Sequence, residues 1–187
     1  MKSERGFVLI EFIIALPLII FLLYGLGMAT MKIFSTAKFH VADYVLEVET
    51  QDALTRITDD LRAASSVKRS NAFTGEPIDN IEIVYLTLNS NANLKNNIVV
   101  MYTQIYLVDS TRTHGAYIYA QHQNEVKTSP ITGGNFFGDN VVTRLQYTKP
   151  AEKVLHVELE MESLVTGRSF KVATAVFMPA CETMNGF

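Results

Sequence analysis

The chain has 187 residues, a formal net charge of −3, 48% hydrophobic residues and 19% charged residues. That length fits one domain, or one domain with an appendage. No basic patch of the kind a nucleic-acid binder needs is present, so no nucleic-acid contact is expected, and short charged runs such as Asp59-Asp60 and residues 158–162 read as solvated faces.

The apolar excess is concentrated near the start. After Met1-Lys2-Ser3-Glu4-Arg5-Gly6, an apolar run extends from Phe7 to Met28 with Glu11 as its one charge. About 22 residues at about 1.5 Å each reach roughly 33 Å, enough to cross a hydrocarbon core of about 30 Å. Lys2 and Arg5 ahead of the run favour a cytoplasmic N-terminus, which places the remainder outside the cytoplasm. An ordinary secretory signal has a shorter apolar core and a small-residue cleavage site after it. Two alternatives remain: an uncleaved anchor, or a signal cut on the cytoplasmic side.

Glu11 bears on that choice. An acidic residue inside a spanning segment costs about 2.5–3.5 kcal/mol on insertion scales and is a functional candidate by default. The bland alternative is a carboxylate near enough to the headgroups to reach water. Glu11 follows Phe7 by four residues, so a helix places both on one face. Cleavage after Gly6 would give Phe7 a free α-amino group. Glu11 could then neutralise such an amine, its own or a neighbour's, as a charge in an apolar bundle requires.

Arg5-Gly6-Phe7-Val8-Leu9-Ile10-Glu11 resembles the type IV prepilin motif (class III signal): a short basic leader ending in glycine, a phenylalanine, an apolar trio and a glutamate. The resemblance covers about 22 residues. It implies cleavage between Gly6 and Phe7 by a prepilin peptidase, usual methylation of the new N-terminus, and docking of subunits through Glu11. It also implies a pilin-like fold, with a long helix on an antiparallel sheet. The implied partners are other pilins or pseudopilins, the peptidase and a membrane assembly platform. Pro17 departs from many pilins, whose first helix-breaking proline comes later. Residues 11–18 with that early proline resemble tight-adherence pseudopilins, and Asp60-Leu61-Arg62-Ala63-Ala64 resembles J-type minor pseudopilins and related minor pilins.

Apolar residues then recur at helical spacing: Phe34, Ala37, Val41, Tyr44, Val48 and, after a slip, Leu54, Ile57, Leu61 and Ala64. Lys38, Asp43, Glu47, Glu49, Asp52, Asp59 and Arg62 occupy positions between them. The pattern predicts one helix over about residues 7–66, roughly 90 Å long, whose amphipathic half needs a covering surface. Residues 70–80 read as a loop. Strands are predicted at 81–88, 98–108, 115–121, 141–148, 154–164 and 168–178, with an asparagine-rich loop at 89–97 and a glycine-rich loop at 133–140. In 154–164, Leu155, Val157, Leu159 and Met161 face one way and His156, Glu158, Glu160 and Glu162 the other. Thr166-Gly167 makes the following hairpin. The expected class is α+β: a leader (1–6), an assembly helix (7–28), its amphipathic continuation (29–66) and an extracytoplasmic antiparallel sheet head (67–187).

No catalytic set is apparent. His40, His114, His122 and His156 are scattered without metal-ligand spacing. No Walker loop, nucleophile elbow or Cys-His pattern occurs. Asp59 and Asp60, adjacent on a helix, point apart. Gly138-Asp139-Asn140 has too few oxygen ligands for an EF-hand and reads as a turn. Phe136 and Phe137 read as core or interface residues. The one cysteine, Cys181, excludes an intrachain disulfide and reads as a free thiol or small packed residue. The resemblance implies a minor pilin or pseudopilin, held in the inner membrane before entering a fibre, and the residues lead to an expectation of no enzyme, cofactor or metal. Its rivals are a pilus-tip adhesin recognising ligands through residues 89–97 and 133–140, and a membrane-anchored enzyme with a fortuitous signal.

Overall fold

The computed structural model describes residues 4–70, 80–88, 99–109, 117–122, 129–133 and 140–187; the side chains of residues 4–10, 70, 80, 85–88, 99–109, 121–122 and 129 lie outside that description. The chain divides into two compact units, Met1–Val41 and Ala42–Phe187. The helix α1, Glu4–Ala63, contributes to both.

In the first unit the described chain is helical from Glu4 onward, including through Pro17. Proline has no N–H, so the Ile13 carbonyl loses its usual partner. Within a membrane such a loss is tolerated where neighbouring groups satisfy the carbonyl. From Glu11 to Val41 every side chain but the half-buried Ala15 is exposed. By length and composition this apolar part of α1 can cross a membrane.

The second unit is α+β. After α1 come β1 (Ser66–Ser70), β2 (Asn80–Leu88), β3 (Val99–Asp109), β4 (Tyr117–His122), β5 (Ser129–Pro130), β6 (Asn140–Ala151), β7 (Val154–Ser163), β8 (Ser169–Phe177) and β9 (Thr183–Asn185). They form two sheets rather than the single one expected: a six-stranded sheet ordered β5-β4-β3-β2-β1-β9 and a three-stranded sheet β6-β7-β8. Among the described residues the pairings are antiparallel except β1 with β9, which is parallel.

The helix stops at Ala63, three residues before the predicted end, because the sheet takes over the backbone that would continue it. Both the N–H and the hydroxyl of Ser65 donate to the Val84 carbonyl at 2.8 Å, and the Ser65 carbonyl accepts from Glu182 N–H at 2.9 Å. These bonds also account for β1 and β9, which sequence periodicity does not reveal. Each is five residues or fewer and is fixed by pairing with distant segments rather than by its own pattern.

In β7, Leu155, Val157, Leu159 and Met161 are fully buried and the alternate residues half-buried, the two-faced pattern the sequence predicts. Gly167, at φ 65, closes the β7–β8 hairpin; its N–H donates to the Ser163 carbonyl, and Ser163 N–H donates to the Arg168 carbonyl. One core cluster joins α1 (Leu46, Ala53, Leu54, Ile57, Leu61), the six-stranded sheet (Val67, Ile81, Ile83, Ile118) and the three-stranded sheet (Leu145, Leu155, Leu159, Val176). Cys181 is buried with a free thiol directed to the Thr183 carbonyl.

Candidate functional site

The predicted processing and docking residues all lie on α1. Gly6 and Phe7 have helical backbone, and Glu11 follows Phe7 by one turn. The side chains of residues 6 and 7 lie outside the described residues; that of Glu11 is exposed. Around it Phe12, Ile13, Ile14, Leu16, Leu18, Ile19, Ile20, Phe21, Leu22 and Leu23 are exposed, and the apolar surface continues through Met28 to Met31, Ile33, Phe34 and Phe39. Between Arg5 and Lys32 the only charged side chain is Glu11. A surface of this kind is not stable in water and has to meet lipid or protein. A carboxylate within it demands a cationic or hydrogen-bonding partner.

The second acidic feature corrects the sequence reading. Periodicity puts Glu49 at a position between the apolar ones; in the structure it is 8% exposed and belongs to the buried face. One carboxylate oxygen, Oε1, accepts from the Gly133 N–H, and Oε2 accepts from Asn140 Nδ2 at 2.7 Å. Asn140 is itself fully buried. Two donors to a carboxylate offset much of its desolvation. Gly133 fits because it adopts φ +81 and because a Cβ there would collide with the Tyr117 ring. Nearby, the buried Thr132 hydroxyl accepts from Ile118 N–H at 2.9 Å. A signal for this face is present in the spacing: Ala42, Leu46, Glu49, Thr50, Ala53 and Ile57 follow a three-and-four rhythm.

The remaining candidates are dispersed. His40 is exposed on α1, His156 half-buried on β7 and the His122 backbone in β4; His114, the loop 89–97, Gly138, Asp139, Phe136 and Phe137 lie outside the described residues. Asp59 is paired with Arg62 at 2.9 Å. Among the described residues no group of three or more His, Cys, Asp or Glu side chains is placed to hold a metal ion.

No family model, curated protein or solved structure matches this chain. Its own residues therefore carry the functional reading.

Proposed function

We propose that this chain is a minor pilin or pseudopilin, a structural subunit of a type IV pilus-like fibre. Cleavage falls between Gly6 and Phe7, and Glu11 receives the α-amino group of a neighbouring subunit, or its own, as subunits dock. The chain waits in the inner membrane with its N-terminus inside and its head outside. The peptidase, the assembly platform and other pilins are its partners.

The observation that carries this reading is the lone carboxylate on an otherwise apolar, exposed helical surface, one turn beyond Phe7. A plain anchor has no use for it, since it raises the cost of insertion. The extent of the surface adds support. The helical residues 12–41 rise roughly 45 Å, against about 30 Å of hydrocarbon. The helix therefore outruns the hydrocarbon, and Ile33, Phe34 and Phe39 are available to helices of other subunits.

Mass spectrometry of the membrane-extracted protein tests the processing step. A mature chain beginning at Phe7 is expected, and an intact Met1 in assembled material would overturn the proposal. Glu11→Leu should insert and be processed normally yet fail to enter fibres. Unchanged fibre yield would leave Glu11 no docking role and favour an anchored protein of another kind.

A further inference from the structure

We infer that Glu49 is a conformational joint: its buried carboxylate couples α1 to both sheets, holding them in one arrangement through hydrogen bonds to its two oxygens. Gly133 lies three residues past β5, the edge strand of the six-stranded sheet, whereas Asn140 is the first residue of β6 in the three-stranded sheet. The two donors are separated from Glu49 by 84 and 91 residues. A displacement of α1 at this turn must carry both sheets with it or break charge-assisted bonds in a buried setting, where a lost partner is costly.

The bond to Asn140 has a further property. Asn140 Oδ1 is buried and has no hydrogen-bond partner among the described residues. The amide thus serves Glu49 as a donor, and its orientation follows from the charge it faces. Donor and acceptor can therefore be exchanged. In the double variant Glu49→Gln with Asn140→Asp, the introduced glutamine would still accept from the Gly133 N–H through its oxygen, and its amide group would donate to the introduced carboxylate. Asn140→Asp alone would set two carboxylates at hydrogen-bond distance, where like charges repel.

The test uses amide hydrogen exchange of the full chain in detergent micelles, read at Gly133 and at Val141 in β6. Asn140→Asp should lower protection at both amides by about tenfold or more, the scale of a lost charge-assisted bond. The double variant should recover most of that loss. Glu49→Leu, if it folds, should lose protection at both positions together. Unchanged protection at Gly133 in Asn140→Asp, or a double variant no better protected than that single one, would overturn the inference. Failure of both Asn140→Asp and the double variant to fold would overturn it as well. None of these results depends on fibre formation, so the joint and the proposed assembly role stand or fall separately.

Discussion

Glu158 shows how one residue on the sheet face away from the core is held. Its Oε1 lies 2.7 Å from Lys171 Nζ on β8 and 3.1 Å from Arg144 Nε on β6, so the charge is shared across all three strands. The hydrogen bond from Lys171 holds its carboxyl below the usual carboxylate range; partial burial opposes this, and the charges of Arg144, Lys171 and His156 add to the lowering. A carboxyl whose folded pKa is depressed stabilises the fold above its unfolded value, and that stabilisation is lost as pH falls through the folded value. Glu158→Gln should therefore lower the melting temperature near neutrality. The gap from wild type should close at acid pH, below the ordinary carboxylate range. Melting curves across pH check this, and a gap that persists in acid would show that packing rather than charge is responsible. High salt should also narrow the gap, because the partners are partly exposed.

At the scale of the element, α1 shows what the sequence reveals and what it conceals. From Leu54 onward the buried positions Leu54, Ile57, Leu61 and Ala64 are those that the periodicity predicts. Before Leu54 the predicted stripe of Val41, Tyr44 and Val48 is out of phase. Tyr44 is 67% exposed, whereas Leu46 is 2% exposed. The true stripe runs through Glu49 and Thr50, and two polar residues conceal it from a count of apolar side chains. Their burial depends on partners that sequence spacing cannot supply: Gly133 and Asn140 for Glu49, and the Leu46 carbonyl for Thr50 at 2.6 Å. The slip placed after Val48 is not needed, since Ala42, Leu46, Ala53 and Ile57 are one continuous buried face. The strands with strong alternation, β7 above all, were legible, whereas β1, β5 and β9 are too short to carry a period. The division into two sheets was equally hidden, because alternation assigns faces and not neighbours. At the candidate site the string from Arg5 to Glu11 is read from residue type and spacing alone; the structure adds its helical backbone and the exposure of the Glu11 side chain.

The corrected phase has a consequence for stability. Leu46→Ala removes a buried side chain from the core cluster and should cost about 2–5 kcal/mol. Tyr44→Ala removes an exposed one and should change stability by no more than about 0.5 kcal/mol. Urea unfolding of the two variants, two residues apart on the same helix, discriminates the observed stripe from the predicted one. Equal effects, or a larger effect at Tyr44, would restore the predicted phase.

At the scale of the molecule, the two units answer to different solvents. Every member of the core cluster lies at Leu46 or beyond, and from Glu11 to Val41 the helix buries no side chain. The apolar surface of the first unit needs lipid or neighbouring helices. The second unit has what independent folding requires: a core drawn from one helix and two sheets, two sheets stitched at Glu49, and an Asp43–Arg168 ion pair at 2.8 Å near its first residue. A chain starting at Ala42 should accordingly be soluble without detergent. It should unfold cooperatively, with a midpoint within a few degrees of the head transition in the full chain. Circular dichroism melts and size-exclusion chromatography measure both properties. A truncated chain that binds a hydrophobic dye and melts without a transition would mean that residues before Ala42 stabilise the head. Such an outcome would also weaken the assembly proposal, because a subunit drawn from lipid into a fibre must keep its head folded while the surroundings of its helix change.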